Sequence, residues 1–95
     1  MAVYMIGYDL HPSRGETYDE LIAAIKRVGS WWHHLDSTWI VTTAKSAAQI
    51  RDALVPHVKS DDQLLVARLS GEAAWYGFSE RGSRWLKESL EALTH

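Results

Sequence analysis

The chain contains no cysteine among its 95 residues. Disulfide bonds, thiolate metal sites and a cysteine nucleophile are therefore excluded, and an intracellular setting agrees with this absence. Long apolar runs are absent too, because no stretch approaches the roughly 20 residues that a membrane-spanning helix needs. The N-terminus enters an apolar segment at Val3 with no basic region before it, so we expect a cytoplasmic protein without a membrane partner.

A surplus of basic charge is also missing. Lys and Arg number 10 against 12 Asp and Glu, which gives a net charge of −2 with histidines neutral. Because neutralising phosphates drives affinity for nucleic acids, any contact with RNA or DNA would need a local basic patch.

Five tryptophans are present, and the length predicts a single domain over residues 1–95.

The hydrophobic pattern predicts an α+β fold. The expected elements are a strand at Val3–Leu10, a helix over 16–28, strands at 31–35 and 38–43, a helix after Ser46, and a strand at Gln63–Leu69. This order is typical of a ferredoxin-like βαββαβ sandwich, which we expect over residues 1–70. Residues 71–95 are expected to add a short strand at 73–78 and a helix at 79–93. The bend at Asp36-Ser37 fits either a tight hairpin or one kinked strand.

The first strand is apolar on both faces, although the two helices of such a fold cover only one face of the sheet. The other face must therefore be covered, either by the C-terminal helix or by a second subunit related by two-fold symmetry. Exposed apolar patches on small proteins often mark such contacts. We expect a homodimer.

Asp9 is the strongest candidate for chemistry, since it is a carboxylate where an apolar strand meets a loop. The same position also suits a structural cap. Mg²⁺ is often bound by one or two carboxylates and water, so two copies of Asp9 near a dimer axis would form a site for Mg²⁺ or Mn²⁺. Asp9 is thus a candidate catalytic residue and metal ligand.

Other polar residues are weaker candidates. His33 and His34 are adjacent in a predicted strand and point to opposite faces, so they are not expected to share a metal. Ser37 lies at the bend, where its hydroxyl would contact a phosphate or simply form the turn. The last helix carries a basic set, interleaved with glutamates, that would contact nucleic acid or form a solvated surface: Arg81, Arg84 and Lys87.

Two segments carry a resemblance to a known family. The apolar first strand ends in Tyr8-Asp9-Leu10, and a serine-containing strand, Asp36-Ser37-Thr38-Trp39-Ile40, follows the first helix. Over about residues 3–70 the chain resembles the small CRISPR-associated adaptation nuclease family, the dimeric ferredoxin-like partner of the spacer integrase. The tryptophans of 31–39 and the segment 75–79 look more like its SinR-like satellite group.

This resemblance implies a two-fold dimer that acts in antiviral defence. It also implies that the dimer cleaves RNA or DNA phosphodiesters with a metal ion held between paired aspartates. Asp9 is the residue that carries over. The hypothesis is a Mg²⁺- or Mn²⁺-dependent endonuclease. The alternatives are a non-catalytic interaction or antitoxin-like regulatory module that binds a larger protein partner, and a domain that binds a small molecule between subunits.

Overall fold

The computed structural model describes residues 1–13 and 15–91. Its elements are β1 (Ala2–Asp9), α1 (Asp19–Lys26), β2 (Ser30–Leu35), β3 (Thr38–Thr43), α2 (Ala47–Leu54), a 3₁₀ turn (Val55–His57), β4 (Gln63–Arg68) and α3 (Glu80–Glu91). The predicted α+β class is confirmed. None of the helices in the described ranges is long and apolar enough to cross a membrane.

The four strands form one antiparallel sheet in the order β2-β3-β1-β4. β1 is central and pairs with β3 through Ile6 opposite Trp39, and with β4 through Gly7 opposite Leu65. β2 and β3 are neighbours joined by a turn at residues 36–37, so the bend at Asp36-Ser37 is a tight hairpin. Directly opposite residues share a face of the sheet, which defines two faces with different covers.

The first face is covered by α1 and α2. Alternate residues of β1 and β3 point into this core, among them Tyr4, Ile6, Trp39 and Val41. The helices contribute side chains that are fully buried: Leu21, Ile25, Ile50 and Leu54. The predicted capping box starts α2, because the Ser46 hydroxyl accepts from the Gln49 backbone and the Gln49 side chain accepts from Ser46.

The second face is covered in part by α3. Leu86 and Leu90 pack on Val3 and Trp32, and all four side chains are buried. The Trp32 indole N–H donates to the Gly82 carbonyl at 3.1 Å, which ties the start of α3 to β2. Of the two covers considered for this face, the C-terminal helix is thus present within one chain.

The predicted extra strand at residues 73–78 is wrong, because this segment forms no strand. Gly71 and Gly77 adopt positive φ of 103° and 89°, which bends the chain before the segment and again near its end. Phe78 instead packs edge-on against Trp32 with ring centroids 4.8 Å apart. The predicted helix follows from Glu80, with the Ser79 hydroxyl accepting from the Gly82 backbone. Its expected continuation to residue 93 lies outside the described residues.

Two further expectations need adjustment at α1. The helix begins at Asp19 rather than residue 16, and it ends at Lys26. Gly29, which follows the helix, packs closely on β3, since a Cβ at this position would collide with the Thr42 carbonyl oxygen.

Candidate functional site

Asp9 lies at the last position of β1, on the second face of the sheet. It is opposite Gln63 of β4, and its side chain is 72% exposed. A shallow depression of about 270 Å³ surrounds it, lined by residues of β1 and β4: Gly7, Tyr8, Asp9, Gln63, Leu64 and Leu65. Asp9 does not cap α1, α2 or the 3₁₀ turn, so the carboxylate remains accessible to a ligand.

Tyr8 joins the two segments on which the family resemblance rests. Its backbone N–H donates to the Ser37 carbonyl at 3.1 Å, and its hydroxyl accepts from the Trp39 indole N–H at 3.0 Å. The hydroxyl also lies 3.5 Å from the Asp36 carbonyl, to which it donates. Tyr8 therefore anchors the β2–β3 turn beside the end of β1, while its neighbour Asp9 points to the other face.

His11 lies beside Asp9. Its Nε2 atom lies 3.9 Å from a carboxylate oxygen of Asp9, and both side chains are exposed. Reasoning from the sequence did not identify this residue as a neighbour of Asp9. The signal was its spacing, because residues two apart at a strand end lie on the same side of the chain.

Asp62 holds the loop that carries His11. Its carboxylate accepts from the backbone N–H groups of His11 and Lys59, each at 2.8 Å, and from the Tyr18 hydroxyl at 3.0 Å. Lys59 completes the contact through its Nζ atom, which donates to the His11 carbonyl and pairs with Glu16 at 3.0 Å. The backbone just after Asp9 is thereby fixed to the start of β4.

The ionisation of this network follows from its hydrogen bonds. Desolvation alone would raise the pKa of Asp62, but donors from Lys59, His11 and Tyr18 outweigh it and hold that pKa below its usual value. Burial and the hydrogen bond to Asp62 raise the pKa of Tyr18. The hydrogen bond to Glu16 is the main cause that raises the pKa of Lys59. All three groups therefore keep their neutral-pH forms: carboxylate, phenol and ammonium.

The described residues of a single chain do not complete a metal site of three protein ligands. Residues 1–13 and 15–91 contain no group of three or more His, Asp or Glu side chains placed to hold a metal ion. Asp9 and His11 supply one carboxylate and one imidazole. Two copies related by a two-fold axis would supply two of each, and carboxylate oxygens suit Mg²⁺ and Mn²⁺.

The other candidate residues fall into two places. Ser37 lies at the same end of the sheet as Asp9, because its carbonyl accepts from Tyr8. His33 and His34 lie on opposite faces as predicted. The His33 ring stacks on Trp39 of the first face with centroids 3.8 Å apart, and the His34 ring lies beside Trp32 of the second face with centroids 5.0 Å apart.

The basic residues of α3 lie apart from Asp9. α3 packs over Val3, which is six residues from Asp9 and so about 20 Å away along β1. Arg84 pairs with Glu80 at 3.6 Å, whereas Arg81 lines a cleft beside β2. Lys87 is exposed. A ligand at Asp9 would reach Ser37 more readily than Arg81, Arg84 or Lys87.

Comparison with known proteins returns no assignment. No protein-family model matches the chain. No solved structure matches it either.

Proposed function

We propose that this protein is a homodimeric, ferredoxin-like protein of the CRISPR-associated adaptation nuclease type, acting as a Mg²⁺- or Mn²⁺-dependent endonuclease on RNA or DNA. The observation that carries the proposal is the position of Asp9. This exposed carboxylate ends the central strand beside the part of the sheet that α3 leaves open. The ferredoxin-like assignment is supported by the strand order β2-β3-β1-β4 and by antiparallel pairing of all neighbours.

The open part of the second face supports a second copy of the chain as its occupant. Leu65 is 58% exposed there, opposite Gly7, which adds no side chain to cover it. Met5 and Ala67 are paired next along the same face and are only half-buried. A flat patch of uncharged residues fits a second copy of itself, because neither copy then buries an unpaired charge.

Stacking through this patch would bring the Asp9 carboxylates of the two copies together, since Asp9 lies two residues from Gly7 on the same face. The two Asp9 and two His11 side chains would then hold one divalent metal ion. When bound, such an ion supplies charge stabilisation at a phosphoryl oxygen and activation of a water molecule. The chain itself positions these side chains by fixing the backbone that carries them, through the hydrogen bonds of Tyr8 and Asp62.

A nuclease assay with matched variants tests the catalytic proposal. Wild type, Asp9→Asn and Asp52→Asn are compared on short RNA and DNA with Mg²⁺, Mn²⁺ or EDTA. Asp52 is an exposed aspartate on α2 that pairs with Arg51, so it controls for loss of one charge. We expect cleavage by wild type and Asp52→Asn, and background activity for Asp9→Asn and for all samples in EDTA. Equal activity of wild type and Asp9→Asn would refute the assignment.

Light scattering tests the dimer separately. Leu65→Lys places a charge in the open patch, and we expect it to reduce the mass in solution from two chains to one. Val55→Lys is the control, because Val55 is a similarly exposed apolar residue in the 3₁₀ turn. A monomeric wild type, or a Leu65→Lys protein that stays dimeric, would contradict this interface.

One observation favours a second candidate, a non-catalytic interaction module that binds a larger protein partner. Among residues 1–13 and 15–91 of one chain, the ion-pair contact of Asp9 is with His11 alone, at 3.9 Å, and the exposed apolar residues are spread over several surfaces. A dimer without metal-dependent cleavage, together with recovery of a defined stoichiometric protein complex, would support this candidate over the nuclease.

A further inference from the structure

A second concave site lies at the junction of β2 and α3, away from Asp9. It is a cleft of about 420 Å³ lined by Trp31, Trp32, His33, His34, Arg81, Gly82 and Trp85. Trp32 is opposite Ile40 and, through it, Met5, so the cleft lies two strands from β1. Strand spacing places it about 10 Å across and about 13 Å along the sheet from Asp9. It is therefore a separate site.

The walls of the cleft offer aromatic ring surface. The indole N–H of Trp85 donates to the Ser30 hydroxyl at 3.2 Å, and that of Trp32 donates to the Gly82 carbonyl. Because its N–H donor is already engaged, the half-buried ring of Trp85 presents apolar surface to a ligand, whereas the ring of Trp32 is buried. Trp31 is 43% exposed, but its ring lies on the first face of the sheet with Trp39, at a centroid distance of 5.3 Å, so Trp85 is the ring on the same side as α3.

The rim of the cleft carries uncompensated positive charge. Arg81 is exposed and forms no ion pair with any residue of the described ranges, whereas Arg84 on the same helix is paired with Glu80. None of the seven lining residues is acidic. A free guanidinium beside the Trp85 indole matches a ligand that is both planar and anionic.

We propose that this cleft binds a nucleoside phosphate, with the base stacked on Trp85 and the phosphate on Arg81. Base–indole stacking tolerates any base, because every base has a π-face, and the guanidinium forms paired hydrogen bonds to phosphate oxygens. The same chemistry is offered by a free mononucleotide and by one nucleotide of a single strand. Binding here requires neither a metal nor a second copy, so it stands independently of the Asp9 site.

The test is calorimetric titration in EDTA with AMP, adenosine, inorganic phosphate and a short oligo-dA. We expect AMP to bind about tenfold or more tighter than adenosine or phosphate, since stacking and charge act together. Arg81→Ala should weaken AMP binding about tenfold or more, and Arg84→Ala should leave it unchanged. Trp85→Leu should also weaken it, whereas Trp31→Leu, which changes a ring on the other face of the sheet, should not, and circular dichroism verifies that both variants are folded.

The titrations with AMP and with oligo-dA distinguish a site for free nucleotides from a site for single strands. Much tighter binding of oligo-dA than of AMP assigns the cleft to single strands, and equal affinity assigns it to free nucleotides. Asp9→Asn should bind AMP like wild type, so a failed nuclease assay leaves this result untouched. No binding of AMP or oligo-dA, or equal binding by Arg81→Ala and Arg84→Ala, would overturn the proposal.

Discussion

The two faces of the sheet are built to different degrees of completeness. On the first face, α1 and α2 bury the central strands, and Ile6, Trp39 and Val41 are at most 1% exposed. On the second face, α3 covers Val3 and Trp32 but leaves Leu65 and Asp9 accessible. The first face therefore supplies most of the buried core, and the second face keeps an exposed apolar residue and an exposed carboxylate.

The largest expected effect is on the first face. Trp39→Ala should lower the free energy of unfolding by about 3–5 kcal/mol, because it opens a cavity in a fully covered core. It also removes the indole donor to Tyr8. Urea denaturation measures the change, with Trp31→Ala as the control from the same sheet. A loss below about 1 kcal/mol for Trp39→Ala would show that the first face is not the main core.

A smaller effect is expected where α3 covers the second face. Leu90→Ala should cost about 2–4 kcal/mol, since Leu90 is 4% exposed and packs beside Val3 and Trp32. Leu65→Ala, in the uncovered part of the same face, should change stability by less than about 0.5 kcal/mol. Urea titrations of both variants at low protein concentration measure the contrast. Equal losses of unfolding free energy would mean that α3 does not bury one part of this face more than the other.

The smallest expected effect concerns the Asp62 network and depends on pH. The pKa of Asp62 is lower in the folded protein than its usual value, so its contribution is present above the usual pKa and is lost as pH falls through the folded pKa. Wild type should therefore be more stable than Asp62→Asn at pH 7, with a difference that shrinks below about pH 4. Thermal melts from pH 7 to pH 3 measure it, and Asp52→Asn should show no such trend.

Much of the fold could be predicted because it depends on local patterns. Alternation and helical spacing predicted every strand of the sheet and all three α-helices. The segment at 73–78 was assigned wrongly because its strand-like composition does not reveal whether a neighbouring strand is available. Phe78 packs instead against Trp32, 46 positions earlier in the chain, which no local window can show.

The candidate site was predicted less completely. Asp9 stood out because a carboxylate at the end of an apolar strand is visible in the sequence. Asp62 did not, since its partners Tyr18 and His11 lie 44 and 51 residues away. Arg81 was singled out for its charge alone. Its position beside β2 depends on the packing of α3 against that strand, and that packing is set by buried contacts distant in sequence.

The irregular pairing of β2 has a consequence for how molecules meet at high concentration. The register between β2 and β3 shifts between Trp32 and Leu35, so the outer strand of the sheet is not straight along its length. A flat, regular outer strand would be a template for a strand from another molecule, and an irregular one is a poor template. The shift therefore protects the β2 edge of the sheet against edge-to-edge aggregation.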